Sequence, residues 1–307
     1  MQSVVANTMA MKPSSNNSNH NQNQNQNQNH NTNHKPRHDA LTVSSIKKQQ
    51  RELEDPATKA EMKSMAARAL RYLCAGNVNI CRSVTESRAL LCLAVLLEKG
   101  HEDVRYNSAL ALMEITAVAE QDSSLRRSAF KPTAPVAKAV VEQFLGIIEK
   151  PDSELMVPSI RSIGNLARTF RATETRFIRP LVKLLDETEP EVMCEAALAL
   201  NKFAGPDNFL HETHCKEIIK EGGIKHLQPQ VYFGEVGLVQ LPCFVLLCYL
   251  AMHVPDSEEL ANEDVIHILE WAAKQQVFIQ DKEMETLVNE AKNRLELYQS
   301  RGSKGYH

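Results

Sequence analysis

One helical pattern recurs along the chain, and its period restricts the fold more than any other feature. Five stretches share an arrangement of apolar residues: MAARALRYLCA, YNSALALMEITA, PSIRSIGNLA, EVMCEAALALNKFA and PCFVLLCYLA. When they are aligned on their last large apolar residue, the anchors are Leu73, Ile115, Leu166, Phe203 and Leu250. The steps between anchors are 42, 51, 37 and 47 residues, a spacing typical of helical repeats that stack. We therefore expect five copies of one unit.

The register holds at two further positions of each stretch. Three residues before the anchor stands a large aliphatic residue: Leu70, Leu112, Ile163, Leu200 or Leu247. Seven residues before it stands a small one: Ala66, Ser108, Ser159, Ala196 or Cys243. These spacings place all three positions on one helix face, and the small residue lets a neighbouring helix come close. Shorter apolar helices and polar turns precede each stretch. The predicted unit is a short helix, a second helix, a polar turn and a long helix.

Composition excludes several classes of function. The formal net charge is −3, whereas nucleic-acid binders usually carry a basic excess, so we expect no nucleic-acid partner. The sequence contains no run of eighteen apolar residues, so we expect no membrane span. The seven cysteines form no CxxC pair, which favours free thiols in the core and a reducing compartment. HETHC, residues 211–215, lacks metal-site spacing and is interpreted as capping and packing at the start of a helix. The sequence therefore predicts no catalysis, no cofactor and no metal site.

Three regions follow from this pattern. Residues 1–58 include an Asn-, Gln- and His-rich stretch with almost no apolar residues, and we predict that this segment is disordered. Residues 59–254 are predicted to hold about four to five repeats of an all-α solenoid. Residues 255–307 are predicted to form capping helices, Ser257–Lys274 and Asp281–Ser300, and a tail.

The residues that carry the repeat also carry a family resemblance. ESRALLCLAVLLEKGHEDVRYNSALALMEITA and CKEIIKEGGIKHL resemble armadillo repeats, whose stack is a right-handed solenoid. SIRSIGNLARTF, AGPDNFLHETHCKEIIKEGG, QLPCFVLLCYLA and YQSRGSKGYH resemble the C-terminal half of the plant "armadillo repeat only" family. The resemblance covers about residues 59–307, and family members carry further repeats upstream. It implies a cytoplasmic scaffold that binds Rho-of-plants GTPases and their regulators in tip growth and actin organisation. The cell cortex and the nucleus stay open as further locations.

The resemblance also implies that the long helices line a concave groove. Positions five and one before each anchor then face the groove: Arg68/Tyr72, Leu110/Glu114, Arg161/Asn165, Leu198/Lys202 and Val245/Tyr249. Arg and Tyr are enriched at protein interfaces, although Arg68 and Arg161 also suit a merely solvated surface. Import receptors of this superfamily place Trp and Asn at these positions, and only Asn165 matches. A nuclear-transport cargo adaptor is therefore the alternative, and a ubiquitin-ligase subunit also stays open.

Two further surfaces are candidates for contact with partners. The connector ARTFRATETRFIRP carries four arginines: Arg168, Arg171, Arg176 and Arg179. They either bind an acidic partner or an anionic membrane, or they pair with carboxylates within the turn. The first long helix, Lys59 to Cys74, has no predicted cap on its outer side. We expect self-association there and interpret the chain as a truncated or shortened product.

Overall fold

The computed structural model describes residues 55–150, 153–279 and 281–302. Fifteen α-helices and no strand occur among these residues. The α-helices are α1 Pro56–Cys74, α2 Val78–Glu86, α3 Ala89–Lys99, α4 Glu102–Gln121, α5 Ser123–Ala129, α6 Pro135–Glu149, α7 Ser153–Asn165, α8 Ile178–Lys183, α9 Pro190–Ala204, α10 His211–Lys220, α11 Gly223–Phe233, α12 Gln240–His253, α13 Glu258–Asn262, α14 Val265–Ala272 and α15 Lys282–Gly302.

The helices follow the predicted unit. The long helices α1, α4, α7, α9, α12 and α15 form a row in which each packs on the next. Between consecutive long helices lie a short helix and a second helix. The exception is between α7 and α9, where a 3₁₀ turn, Ala167–Thr169, takes the place of the short helix before α8. Apart from Val104 and Leu110, the buried apolar residues form one cluster throughout the described residues, as expected when stacked repeats share a core. The predicted all-α solenoid is confirmed.

Four of the five predicted anchors are correct. Ile115, Leu166, Phe203 and Leu250 are fully buried, and so are the small residues seven positions earlier. The first anchor is wrong by one residue: Leu73 is 53% exposed, whereas Cys74 and Ala67 are buried. Within the described residues α1 packs mainly on α4, with a smaller contact to α2. One side of the helix is covered, and the apolar pattern alone did not show which.

The predicted helix Ser257–Lys274 is also wrong, because it is two helices. Asp264 has a φ of 53° and separates α13 from α14. Together with α15 these helices repeat the order short, second and long, so the C-terminal region is a further unit of the stack. Val288, Ala291 and Leu295 of α15 are buried against the row.

The predicted disordered segment lies largely outside the described residues. Its last residues do not, because α1 begins at Pro56, three residues inside the segment. Asp55 caps this helix: its side chain accepts a hydrogen bond from the Thr58 N–H at 3.0 Å. A carboxylate at this position satisfies a free helical N–H, and proline is tolerated in the first turn. The tail beyond Gly302 lies outside the described residues.

Candidate functional site

An open hollow lies on the exposed side of the long-helix row. It has a volume of about 540 Å³ and is lined by residues of α4, α7, α9 and α12 and by the loops after α7 and α9. Leu198 and Lys202 of α9 and Val245 and Tyr249 of α12 line it, and all four are groove positions inferred from the sequence. We call this feature the central hollow.

One wall of the central hollow is apolar. Leu198 is 39% exposed, and Leu241, Pro242 and Val245 lie beside it, partly buried. Tyr249 closes this wall. Burial raises the pKa of the Tyr249 hydroxyl, and the nearby Asp207 carboxylate raises it further. A half-buried aliphatic wall that ends in an aromatic hydroxyl is suited to an apolar group with a polar neighbour.

The opposite wall is a chain of hydrogen bonds that links three long helices. The Lys202 ammonium donates to Glu120 Oε2 at 2.8 Å and to Asn165 Oδ1 at 2.6 Å. The Asn165 amide in turn donates to Thr116 Oγ1 at 3.2 Å. Asn165 is only 5% exposed. Its amide is therefore used within the chain, although its position matches the peptide-binding asparagine of import receptors.

Arg161 is also engaged within the chain. Its Nη2 lies 2.5 Å from Glu195 Oε1, across the contact between α7 and α9. The Glu195 side chain is only 10% exposed. The bond to this carboxylate raises the pKa of Arg161. A nearly buried carboxylate needs such a partner, so the guanidinium has a structural role here.

The other predicted groove positions lie apart from the central hollow. Arg68 and Tyr72 are exposed on α1, where the register is shifted by one residue, and the Arg71 guanidinium stacks on the Tyr72 ring at 5.4 Å. Leu110 is buried and Glu114 is half-buried on α4. Whether these residues bind a partner stays a prediction.

The four arginines of the connector face different partners and do not form one patch. Arg176 donates two hydrogen bonds to the Glu142 carboxylate, and Arg179 Nε lies 3.5 Å from Glu221 Oε2. At Arg171 the backbone N–H donates to Glu174 Oε2. Arg168 donates to the Glu120 carbonyl oxygen. The structure therefore places Arg168 alone of the four at the edge of the central hollow.

A fifth arginine, Arg126, joins Arg168 at the C-terminus of α4. Arg126 Nη1 donates to the carbonyl oxygens of Ala119 and Glu120, at 3.1 and 2.7 Å. Burial lowers the pKa of Arg126, and the positive charge of Arg168 lowers it further. Cations are favoured at a helix C-terminus, where the last carbonyls have no helical partner. Two guanidinium groups therefore share one helix end.

One exposed aromatic residue has no counterpart among the predicted site residues: Phe209 is 95% exposed. The preceding Asn208 is buried and donates to the carbonyl oxygens of Ala167 and Lys202, at 3.4 and 3.3 Å. Its Oδ1 accepts from the Leu210 N–H at 3.0 Å. These bonds fix the loop after α9 against the residue that precedes Arg168. The GPDN turn composition indicates a loop, but no sequence signal indicates that its phenylalanine faces solvent.

The HETHC stretch packs as interpreted, but the capping part of the interpretation is wrong, because the N-terminus of α10 has no side-chain capping hydrogen bond. The His214 ring is buried, with Nδ1 3.2 Å from the Phe203 carbonyl oxygen, and Cys215 is buried beside it. His211 Nδ1 lies 2.8 Å from the Asn208 carbonyl oxygen. Among residues 55–150, 153–279 and 281–302, no three His, Cys, Asp or Glu side chains are grouped to hold a metal ion. All seven cysteines are free thiols, and only Cys92 is exposed. None of the described helices is long and apolar enough to cross a bilayer.

Solved structures similar to this chain are armadillo-repeat and engineered proteins. A designed armadillo repeat protein is 18% identical with a TM-score of 0.59, and the match covers 80% of this chain and 97% of that one. Another, in complex with the peptide (KR)4, is 17% identical with a TM-score of 0.60 and the same coverage. An engineered protein is 21% identical with a TM-score of 0.63, covering 79% and 94%. No known protein-family model matches the chain, and no curated protein matches it. The chain has the armadillo-repeat fold.

Proposed function

We propose that this chain is a non-catalytic protein-binding scaffold whose partners dock on the long-helix face. The observation that carries the proposal is the central hollow, an open feature with an exposed apolar wall at the centre of that face. Solvent-exposed aliphatic groups in a concave site favour binding. The designed armadillo protein in complex with (KR)4 supports the choice, because the same fold there binds a peptide.

The partners that we propose are Rho-of-plants GTPases and their regulators, in polarised growth and actin organisation. The support is the resemblance of SIRSIGNLARTF and three other segments to the plant family. A cytoplasmic location, including the cortex beneath the plasma membrane, belongs to the same proposal.

The test is binding of the purified chain to a Rho-of-plants GTPase loaded with either a GTP analogue or GDP. Leu198→Arg introduces a charge into the central hollow, and Val95→Arg on α3 is the matched control, because Val95 is similarly exposed and does not line the hollow. We expect binding that depends on the nucleotide, is lost in Leu198→Arg and is kept in Val95→Arg. Equal loss in both variants would contradict docking at the hollow, and no binding to either nucleotide form would contradict the choice of partner.

The alternative of a nuclear-transport cargo adaptor has less support. Asn165 is the one residue that matches the import-receptor pattern, and its amide is bonded to Thr116 and Lys202. Engaging a cargo backbone there requires breaking both bonds. No observation in the described residues favours a ubiquitin-ligase subunit over a general scaffold.

Contact with an anionic membrane and self-association are two further proposals. Arg168 and Arg171 are exposed at the connector, whereas Arg176 and Arg179 are paired with carboxylates, so any membrane contact is weak. Co-sedimentation with phosphatidylserine vesicles tests it, and an unchanged result in Arg168→Gln/Arg171→Gln would contradict it. Self-association is proposed through the exposed face of α1.

A further inference from the structure

We propose that the central hollow takes an aliphatic side chain of an extended peptide while Arg168, at its edge, binds an anionic group on a neighbouring residue. This inference rests on the proposed function and names the chemistry of the partner. The anionic group is a carboxylate or a phosphate, since both accept hydrogen bonds from guanidinium.

The shape of the hollow argues for an aliphatic side chain. Leu198, Leu241 and Val245 offer a wall of branched aliphatic groups, and Pro242 adds a rigid one. Leu198 is the most exposed of the three branched residues, and the inward-facing residues of the helices around it are buried. Covering it with a partner's aliphatic group removes apolar surface from water on both sides.

The charges of the hollow argue for an anion. Four ionisable side chains other than Tyr249 line it: Glu120, Asp207, Arg168 and Lys202. The charges of Lys202 and Glu120 offset each other, because the ammonium is 2.8 Å from the carboxylate. Arg168 instead donates to a backbone carbonyl oxygen, and no salt bridge to a carboxylate is found for it among the described residues. Its positive charge therefore remains available at the edge.

Arg126 strengthens the preference for an anion. Its guanidinium donates to the same carbonyl oxygen of Glu120 as Arg168 does, and the two like charges disfavour each other. The carboxylates of Glu120 and Asp122 offset part of this repulsion at Arg126, and an anion bound by Arg168 reduces it further. Asp207 is the opposing charge of the hollow, and its carboxylate acts on the Tyr249 hydroxyl of α12. The expected peptide is therefore acidic next to its aliphatic anchor, opposite in charge to the (KR)4 peptide bound by the designed armadillo protein.

The test is a methyl NMR titration of the full chain with four synthetic decapeptides. They contain Leu-Glu-Glu, Leu-phosphoserine, Leu-Lys-Lys or Ala-Glu-Glu at the centre of an otherwise identical Gly/Ser sequence. We expect the first two to shift the methyl signals of Leu198, Leu241 and Val245, and to leave those of Leu91 and Val95 on α3 unchanged. Stronger binding of the Leu-Glu-Glu peptide would indicate that the anionic group is a carboxylate. Stronger binding of the Leu-phosphoserine peptide would indicate that it is a phosphate.

Variants of the chain assign the two contacts. Arg168→Gln is expected to weaken binding of the Leu-Glu-Glu peptide about three- to five-fold, the usual size of an exposed ion pair. Leu198→Asp is expected to weaken it about ten-fold or more. Arg171→Gln, an exposed arginine of the same connector outside the hollow, serves as the control and should bind as the unaltered chain does. The peptide arms use the unaltered chain, so they test the proposal even if a variant does not fold.

Two results overturn the proposal. Equal or tighter binding of the Leu-Lys-Lys peptide, with shifts at the same methyl groups, shows that the hollow binds peptides but that the inferred charge preference is wrong. Absence of shifts with all four peptides excludes the subsite. The GTPase assay with Leu198→Arg uses no peptide, so it reports separately whether the long-helix face binds proteins.

Discussion

Asn208 illustrates how one buried side chain holds an exposed neighbour in place. Its amide nitrogen and oxygen make three hydrogen bonds to backbone groups, and the aromatic ring that follows is almost wholly in water. Ordering a loop that presents an apolar ring to solvent gives the folded chain no evident gain in stability. Rigid, exposed aromatic rings are typical anchors of protein interfaces.

We expect opposite effects from substitutions at these two neighbours. Phe209→Ala should change the free energy of unfolding by less than about 0.5 kcal/mol, because the ring buries nothing. Asn208→Ala should lower it by about 1–3 kcal/mol, because buried backbone groups lose their partners. Urea denaturation followed by circular dichroism measures both. A large loss of stability in Phe209→Ala would mean that the ring packs within the chain and is not a free anchor.

A second residue-scale prediction concerns acid stability. The pKa of His253 is lowered to about 4, chiefly by burial and also by the nearby positive charges of His211 and Arg294, against the opposing effect of Glu212. The ring lies 4.1 Å from that of His211, between centroids, and its Nε2 is buried without a hydrogen-bond partner. Burial also lowers the pKa of His214. In the unfolded chain both rings have the ordinary pKa of about 6.5.

The sign of the effect follows from proton binding. Between pH 6.5 and 5 the unfolded chain takes up protons at these rings and the folded chain does not, so stability falls as the pH falls. For His253 we expect a loss on the order of 1 kcal/mol, after allowance for the part of the ring that solvent reaches. Urea midpoints at pH 7 and pH 5 measure it, and His253→Gln should reduce the slope. A slope unchanged in this variant would assign the loss to other groups.

At the scale of helices, one backbone feature marks three of the junctions between a short helix and a second helix. Arg88, Gly222 and Asp264 stand between α2 and α3, α10 and α11, and α13 and α14, and each has a positive φ, of 66°, 84° and 53°. A left-handed residue there turns the chain sharply enough for the two helices to pack. Glycine adopts this conformation freely, whereas other residues adopt it at a cost.

This feature predicts a gain of stability from a single substitution. Arg88→Gly should raise the free energy of unfolding by about 0.5–1 kcal/mol, because the exposed arginine loses strain and makes no side-chain hydrogen bond at the α3 N-terminus. Gly222→Ala should lower it by a similar amount, since alanine must then adopt the same φ. Thermal and urea denaturation of the two variants measure the pair. If both substitutions change stability in the same direction, the strain argument fails.

The positions of the helices could be predicted from the sequence, whereas the contacts between their polar residues could not. Ile115, Leu166, Phe203 and Leu250 repeat because each faces the same core, so spacing alone locates them. Spacing does not reveal pairing. Lys202 meets Glu120 across 82 residues, and Arg161 meets Glu195 across 34. Only the stacked helices bring these groups together, which is why three predicted groove residues proved to be bonded within the chain.

Three other features had no readable signal or an ambiguous one. Phe209 looks like any aromatic residue after a turn, and its exposure depends on where Asn208 finds acceptors. The pattern RALRYLC fits an anchor at Leu73 or at Cys74, and only contact with α4 decides between them. Asp264 lies inside the predicted helix Ser257–Lys274, and its residue type does not mark the break, because aspartate tolerates a helix and the left-handed conformation alike.

For the molecule as a whole, the row of long helices has two unlike ends. At the last helix, α15, most of the exposed residues are charged or polar, although Leu297 and Tyr298 are exposed as well. At the first, α1, apolar side chains remain exposed: Met62, Met65, Tyr72 and Leu73. The corresponding side of α4 is covered by α1, where Ser64 Oγ donates to the Asp103 carbonyl oxygen and accepts from the Asn107 amide. A repeated unit therefore has its stacking surface uncovered at α1 within the described residues.

Self-association through this surface has a testable dependence on both sequence and salt. We expect the weight-average sedimentation coefficient to rise with concentration across the micromolar range, and Met65→Glu/Leu73→Glu to abolish the rise. Leu91→Glu on α3 is the matched control, because Leu91 is also exposed. Since α1 carries Lys59, Lys63, Arg68 and Arg71 against Glu61 alone, two copies repel each other electrostatically. Association should therefore strengthen with added salt, which screens this repulsion. A monomer at every concentration and salt level would contradict the proposal, and weakening by salt would indicate that charges, rather than the apolar face of α1, hold the copies together.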